Sequence, residues 1–308
     1  MLTIRSLFFA PANRADLVGK FPRFAADCYV IDLEDGTPAA QKAGARDGLK
    51  AMVASLRQQA RLQGVLAVRV NEPGSAHYLD DLNAALACDV DGLVIPKLES
   101  VEQLFPAVHA MRRLDAAAPR AEPRFIVGGL ESILGVVNSR ALCAADPAVA
   151  AVYFGAEDLA SELGARRTPD STEVLYARSQ VLLHAKAARI LAIDQAVVEI
   201  RDDQHFERDA NVGRDLGYDG KICLLPRQLD VANRVYRPSD AELAHGRRLI
   251  AAYDEATARG IGTIDFEGKM IDGPLLKRAQ RMVAFGDRLA AMARTAGSAT
   301  GSAAKASS

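Results

Sequence analysis

The sequence predicts an α/β fold, a closed (β/α)8 TIM barrel that carries a C-terminal helical extension. Three observations predict this architecture. Eight short apolar runs recur along the 308 residues, at the spacing of roughly thirty residues that one strand–helix unit occupies. The runs are apolar on both faces, as in parallel strands that are covered by helices. Segments with helical periodicity lie between them. Eight such units favour a closed barrel, and an open doubly wound sheet is the alternative.

The apolar runs define the predicted strands. In chain order they cover residues 6–10, 28–32, 65–70, 91–96, 124–129, 149–155, 192–200 and 220–226. Between them, residues 42–59 and 101–116 place apolar side chains at helical spacing and predict two of the intervening helices. Pro106 is expected to bend the second of these helices.

The chain continues beyond the eighth predicted unit. Residues 238–260 and 274–294 each have the pattern of a helix, and a glycine-rich segment joins them. The last residues are small and polar, a composition typical of disorder. The predicted organisation is a barrel over 1–237, a helical extension and lid over 238–294, and a disordered tail over 295–308.

Composition excludes several classes of protein. The net charge is −1, so no overall field attracts nucleic acid or a membrane surface. No apolar run reaches the roughly 18 to 20 residues of a membrane span, and the N-terminal residues lack the features of a signal peptide. The four cysteines are widely spaced and are expected to be buried, reduced thiols. These features predict a cytoplasmic protein.

Two carboxylates lie where consecutive predicted strands end. Glu131 follows the fifth strand and Asp158 follows the sixth. The carboxyl ends of barrel strands converge on one mouth, where chemistry takes place, so these side chains are expected to face each other. Carboxylate oxygens with open positions for water are what Mg²⁺ prefers. The five histidines are scattered, which argues against a zinc site.

These residues also have purely structural interpretations. Either carboxylate can instead open the helix that follows its strand. Arg69, at the end of the third strand, can be an ion-pair partner for the acids that follow the second strand. Lys97, after the fourth strand, is expected to extend past Leu98 into solvent.

The segment DLED, residues 32–35, supplies three further acids at the mouth. A structural alternative pairs Asp32 and Asp35 with Lys42 and Arg46 of the following helix. In that case only Glu34 keeps a functional role.

Together these segments resemble the citrate lyase beta-subunit-like family, which includes malyl-CoA, citramalyl-CoA and citryl-CoA lyases of the phosphoenolpyruvate/pyruvate barrel superfamily. The resemblance runs in order over about residues 9–275. Its motifs are RSLFFAPANR, DLEDG, KAGAR, VRVN, DGLVIPKLES, GGLESILGVVN, FGAEDL, GYDGKICLLPRQ and KMIDGP.

The resemblance implies roles for particular residues. It implies that Glu131 and Asp158 bind Mg²⁺ and that Arg69 contacts the substrate's carbonyl oxygen and stabilises an enolate. Glu34 resembles an acid placed near the metal-bound waters. Asp272 resembles the acid/base of a C-terminal lid that closes over a neighbouring subunit's site. The relatives are commonly homotrimers or multiples of trimers.

The implied activity is a Mg²⁺-dependent, reversible Claisen-type cleavage of a hydroxyacyl-CoA to a 2-oxo acid and an acyl-CoA. A guanidinium can stabilise the oxyanion that develops, and a mobile acid/base can move the proton. Backbone N–H groups of Gly155 and Ala156, at a helix start, can hold the substrate carboxylate. The alternatives are a pyruvate-type aldolase that does not use CoA, an acyl-CoA thioesterase, and a carrier-dependent lyase subunit of a multi-enzyme complex.

Overall fold

A computed structural model of the protein describes residues 2–59 and 62–305, with side chains for all of these except 293 and 295–305. Within these residues eight parallel strands close into a barrel in chain order, and the eighth strand pairs with the first. The predicted barrel is therefore confirmed, and the open sheet is excluded. The strands are β1 Ser6–Pro11, β2 Cys28–Asp32, β3 Val65–Arg69, β4 Gly92–Ile95, β5 Phe125–Leu130, β6 Val149–Phe154, β7 Leu191–Asp194 and β8 Gly220–Cys223.

Helices and short loops connect the strands. The helices of this part of the chain are α1 Ala15–Val18, α2 Lys42–Gln58, α3 Tyr78–Leu86, α4 Phe105–Ala117, α5 Ile133–Val137, α6 Ser139–Cys143, α7 Ala156–Leu163, α8 Leu175–Ala188, α9 Asp203–Leu216 and α10 Pro226–Val235. Pro106 lies in the first turn of α4, where its missing N–H costs no hydrogen bond. It helps to start the helix, and the bend expected within residues 101–116 gives way to a separate 3-10 turn, Val101–Leu104.

Successive strand residues enter two different apolar layers. Leu7, Val30 and Val127 belong to a cluster of inward-facing side chains that fills the barrel. Their neighbours Phe8 and Tyr29 belong to the larger cluster between the strands and the surrounding helices. Because both layers are buried, the strands have continuous apolar sequences rather than alternating ones.

A cluster of buried charges replaces apolar packing beside the last two strands. Asp194 ends β7 and pairs in register with Lys221 of β8, and both side chains are fully buried. Arg178 of α8 donates to Asp194 at 2.8 Å and to Asp209 of α9 at 3.1 Å. Lys221 donates to Asp209 as well. The cluster ties both helices to the barrel, and β7 ends at Asp194, well short of the predicted limit at residue 200.

The four cysteines of the barrel are buried and free, as predicted. In the described part of the chain no helix combines the length and the apolar character needed to cross a membrane.

The residues from Arg237 onward form a second compact unit. It contains α11 Asp240–Ala258, a hairpin of β9 Ile264–Phe266 and β10 Lys269–Ile271, and α12 Gly273–Lys305. Leu249, Ile271 and Ala279 form its core. The hairpin turns at Glu267 and Gly268, which both have positive φ, the conformation that a two-residue hairpin loop requires.

Helix α12 continues into the segment for which the sequence predicted disorder. Residues 295–305 are helical here, and 306–308 lie outside the described residues. Alanines at 296, 299, 303 and 304 favour helix, and extending a helix that has already formed avoids the cost of nucleation.

Candidate active site and metal centre

A cavity of about 420 Å³ opens at the carboxyl ends of the barrel strands. Its walls include predicted site residues from the ends of β2, β3, β5 and β6 or the loops that follow them. Those residues and their neighbours in the wall are Phe9, Asp32, Asp35, Arg69, Glu131, Tyr153, Gly155, Ala156, Glu157 and Asp158. The barrel therefore brings together the side chains that the sequence selected from segments far apart in the chain.

Glu131 is held in place by two donors on one of its oxygens. Directly after β5, it is 4% exposed. Its Oε1 accepts the Tyr153 hydroxyl at 2.7 Å and the Lys97 backbone N–H at 2.8 Å. Its second oxygen, Oε2, has no hydrogen-bond donor among the described residues. Burial raises the pKa of Glu131 to about 7, although the hydrogen bond from Tyr153 and the charge of Arg69 oppose this shift.

Gly155 makes room for the Glu131 carboxylate. A Cβ at this position would lie 2.3 Å from the Cβ of Glu131 and 2.4 Å from its Oε2, closer than atoms can approach. The glycine between β6 and α7 is therefore required by packing against the carboxylate. Its N–H donates to the Leu130 carbonyl at 3.2 Å, and binding of the substrate carboxylate by this N–H stays a prediction. Ala156 is the first residue of α7, and its N–H has no acceptor within the helix.

Asp158 lies on the first turn of α7 and lines the same cavity as Glu131. Its side chain is 46% exposed, and its charge contributes to the raised pKa of Glu131. The preceding acid, Glu157, accepts from Arg167 at 2.8 Å. Of the two acids that open α7, Asp158 is thus the one whose carboxylate faces the cavity without a close ion pair.

Arg69 is both an ion-pair partner of the mouth acids and part of the cavity wall. Its Nε and Nη2 each donate to one oxygen of Asp32 at 2.7 Å. Its Nη1 lies 3.0 Å from Glu34 Oε2, and the guanidinium lies over the Phe9 ring at 4.9 Å from its centre. Burial opposes the charged form, but the two acids raise the pKa of Arg69 well above its ordinary value.

The structural alternative for the DLED acids, in which Asp32 and Asp35 pair with Lys42 and Arg46, is wrong. Asp32 binds Arg69 rather than either helix cation. Lys42 donates to the carbonyl oxygens of Leu33 and Glu34 at 3.3 and 3.1 Å. Arg46 donates instead to Asp81 of α3 at 2.7 Å. The first turn of α2 holds the backbone of the acidic loop, and the acids themselves stay at the mouth.

Lys97 is the residue whose position the sequence did not predict. Its ammonium points into the mouth and donates to Glu34 Oε1 at 2.9 Å, rather than extending past Leu98 to solvent. Its backbone has φ 48°, an uncommon value for a residue with a side chain. Burial would lower the pKa of Lys97, but the hydrogen bond to Glu34 and the nearby acids outweigh it and raise the pKa.

Asp272 lies in the second unit, between β10 and α12. Its Oδ1 is 3.4 Å from the backbone N–H of Leu275 in the first turn of α12. The cavity described above is lined by residues of the barrel unit. An acid/base role for Asp272 stays a prediction.

The arrangement of charge fits a divalent cation. Asp32 is neutralised by Arg69 and Glu157 by Arg167, whereas Glu131 and Asp158 line the same cavity and the charge of Asp158 raises the pKa of Glu131. Glu131 keeps an oxygen with no donor, and burying such an ion is costly unless a cation compensates it. In the described residues no group of three or more His, Cys, Asp or Glu side chains is arranged to hold a metal. Two carboxylates with other positions left to water and substrate are a donor set typical of Mg²⁺.

Comparison with known proteins identifies the family to which the chain belongs. Over 286 residues, the chain is 41% identical to a citrate lyase subunit beta-like protein of Deinococcus radiodurans, covering 91% of this chain and 96% of the relative. It is 32% identical over 295 residues to the mitochondrial citramalyl-CoA lyase of Homo sapiens, covering 91% and 84%.

A solved structure matches nearly the whole chain. CitE from Mycobacterium tuberculosis, in complex with magnesium, acetoacetate and coenzyme A, aligns with a TM-score of 0.75 and 31% identity over 92% of this chain and 98% of CitE. The family model described as HpcH/HpaI aldolase/citrate lyase matches residues 5–226. The resemblance found from the motifs is therefore confirmed, and the chain belongs to the HpcH/HpaI aldolase/citrate lyase family of carbon–carbon lyases.

Proposed function

We propose that this protein is a Mg²⁺-dependent lyase that cleaves a hydroxyacyl-CoA, of the malyl-, citramalyl- or citryl-CoA type, to a 2-oxo acid and an acyl-CoA. One observation carries the proposal. Glu131 and Asp158, from consecutive strand ends, line one cavity with the buried guanidinium of Arg69. The human relative named citramalyl-CoA lyase and the CitE complex with magnesium and coenzyme A support this choice of substrate class.

The reaction breaks the bond between the hydroxyl-bearing carbon and the carbon next to the thioester. The hydroxyl loses its proton and becomes the 2-oxo carbonyl group of the acid product, and the bonding pair passes to the thioester as an enolate. Protonation of the enolate carbon then gives the acyl-CoA. The protein must hold the 2-oxo acid, stabilise an oxyanion and move a proton in each half of the reaction.

Arg69 is suited to stabilising the oxyanion. A guanidinium has five N–H groups, and its contacts with Asp32 and Glu34 engage three of them. The remaining N–H groups can donate to a developing oxyanion, and donors held in place in this way are effective at stabilising such a charge. Asp32 and Glu34 fix the plane of the guanidinium, which is the positioning role that we assign to Glu34.

Glu131 and Asp158 would hold the metal. When bound, Mg²⁺ supplies Lewis-acid polarisation of the substrate's oxygen. The N–H of Ala156 at the start of α7 can donate a hydrogen bond to a substrate carboxylate beside these acids. Asp272 is proposed as the acid/base that delivers or removes the proton.

A substrate panel assayed in both directions, with and without Mg²⁺, tests the proposal. We expect Mg²⁺-dependent cleavage of one hydroxyacyl-CoA, and loss of that activity in Glu131→Gln and Asp158→Asn with the fold retained. Glu207→Gln, which alters an exposed acid paired with Arg234, is the matched control. Full activity in either site variant would refute the metal assignment. Carbon–carbon cleavage of a hydroxylated 2-oxo acid without CoA, or thioester hydrolysis without carbon–carbon cleavage, would establish one of the alternatives.

A carrier-dependent lyase subunit is the second candidate. It is favoured by the relative named citrate lyase subunit beta of Leuconostoc mesenteroides subsp. cremoris, which is 32% identical over 287 residues. Its site would act on an acyl group attached to a partner protein. A free CoA thioester cleaved by this chain alone at a rate that added carrier protein does not increase would exclude it.

We propose further that the protein acts in the cytoplasm. We also propose that it is a homotrimer or a multiple of trimers, because the family resemblance implies a lid that closes over a neighbouring subunit's site. Light scattering coupled to size-exclusion chromatography gives the mass directly. A monomer with full activity would contradict a shared lid.

A further inference from the structure

We propose that the Lys97 ammonium is an internal counter-ion of the nearby acids at the barrel mouth, and that a divalent cation entering the site displaces it. These acids are Glu34, Asp35, Glu72 and Asp158. The inference rests on the metal site proposed above. It assigns a role to Lys97, which has no function in the sequence analysis or in the proposed reaction.

Lys97 is placed among four acids from three different segments. Its Nζ lies 2.9 Å from Glu34, 3.8 Å from Asp35, 3.8 Å from Glu72 and 4.0 Å from Asp158. Only the first of these is a hydrogen-bonding distance, so the ammonium is shared electrostatically rather than bound tightly to one partner. Like charges this close repel each other strongly, and the ammonium relieves that repulsion.

The backbone of Lys97 is committed to the same site. Its N–H donates to Glu131 Oε1 at 2.8 Å, and the next N–H, from Leu98, donates to the Gly129 carbonyl at 2.9 Å. These bonds accompany the positive φ of Lys97, a conformation that costs on the order of 1 kcal/mol for a residue with a side chain. The turn therefore places the N–H on one proposed ligand and directs the side chain towards the other.

A lysine is suited to leave such a position. Its ammonium is a point charge on a flexible four-carbon stem, and the side chain is 26% exposed, so a path to solvent exists. A cation held by Glu131 and Asp158 would repel the ammonium while neutralising Asp158, one of the four acids that attract it. The Lys97 ammonium and the metal ion would then compete for the same negatively charged cluster of carboxylates.

This competition predicts the direction in which removal of the Lys97 charge changes Mg²⁺ affinity. A lysine with only a structural role would not lead to that prediction. Lys97→Met, in the absence of substrate, should bind Mg²⁺ more tightly than the unaltered protein, on the order of tenfold for one charge removed at this distance. Lys97→Arg should keep the affinity within about threefold, since it keeps the charge. Lys186→Met is the matched control, because it removes a lysine from a surface pair with Asp219 at 2.6 Å, near the amino end of β8.

Isothermal titration with Mg²⁺ measures these affinities, and circular dichroism verifies the fold. Equal or weaker binding by folded Lys97→Met would overturn the counter-ion role while leaving the proposed lyase intact. If the unaltered protein binds no Mg²⁺, both the counter-ion role and the metal site are wrong.

A measurement on the unaltered protein covers the case in which Lys97→Met does not fold. Acylation of lysines followed by peptide mass spectrometry should show faster labelling of Lys97 when Mg²⁺ is added, with Lys186 unchanged. Labelling of Lys97 that stays constant or slows would overturn the proposal.

Discussion

The phenolic hydroxyl of Tyr153 donates to Glu131 Oε1 at 2.7 Å inside the barrel, where both side chains are almost fully buried. Tyr153 lies on β6 and points inward, among the side chains that fill the barrel. The hydrogen bond fixes one oxygen of the proposed ligand and leaves the other facing the cavity. It also partly offsets the effect of burial on the pKa of Glu131.

Tyr153→Phe should therefore weaken Mg²⁺ binding without unfolding the barrel. A hydrogen bond to a charged group contributes roughly 1.5–3 kcal/mol, so we expect affinity at pH 7 to fall by roughly tenfold or more. The pKa of Glu131 should rise further, so part of the loss should be recovered at pH 8.5. Isothermal titration at both pH values measures this. Tyr218→Phe is the control, since it removes another buried hydroxyl that donates to a backbone carbonyl. If the two variants bind Mg²⁺ with equal affinity, Tyr153 does not position the Glu131 carboxylate.

Metal binding should depend steeply on pH near neutrality. Burial raises the pKa of Glu131 from an ordinary value of 4.5 to about 7, so the folded protein holds this proton more tightly than the unfolded chain. Without metal, the stability contributed by this group is greatest below pH 4.5 and is lost as pH rises towards 7. Because Mg²⁺ requires the ionised carboxylate, its affinity should fall about tenfold per pH unit below 7.

The increase in melting temperature caused by Mg²⁺ reports this linkage. It should grow from pH 5.5 to 7.5 and then level off. In Glu131→Gln the pH dependence of that increase should be lost. A constant increase over this range in the unaltered protein would show that Glu131 is already ionised at low pH.

Arg69→Lys should reduce kcat much more than Mg²⁺ affinity. Lysine keeps a positive charge but lacks the planar fork that pairs with Asp32 through two nitrogens. Removing one well-placed donor to an oxyanion costs roughly 10²- to 10³-fold in kcat, and we expect a loss of that order with KM changed less. Arg5→Lys is the matched control, because Arg5 makes a similar two-nitrogen contact with Asp27 beside the start of β1. Unchanged kcat in Arg69→Lys would remove the guanidinium from the chemistry.

The strands were predictable because a strand that is buried on both faces requires apolar side chains at consecutive positions, and this gives a continuous apolar run in the sequence. The site acids were predictable for a related reason, since Glu131 and Asp158 stand where those runs stop. In each case the information is local, and the barrel's closure converts positions along the chain into neighbours in space.

The partners of the site residues were not predictable from local sequence. Whether Asp32 binds Lys42 or Arg69 depends on how α2 packs beside the mouth, and Arg46 binds Asp81, 35 residues away. The inward turn of Lys97 depends on a positive φ accompanied by a bond to Glu131. A lysine directly after an apolar strand and a proline was the available signal, but it does not distinguish a solvent-facing side chain from one that points into the mouth.

The buried charges beside β7 and β8 should dominate the stability of the barrel's last units. Lys221→Met leaves Asp209 and Asp194 with Arg178 as the remaining cation of the cluster. Breaking a buried ion pair by removing one partner costs roughly 3–5 kcal/mol, whereas loss of an exposed pair costs at most about 1 kcal/mol. Denaturant unfolding should therefore show a much larger loss for Lys221→Met than for Lys186→Met, which breaks the exposed pair with Asp219. Equal losses would mean that the buried cluster is no more important to folding than a surface contact, and that apolar packing alone holds α8 and α9 against the barrel.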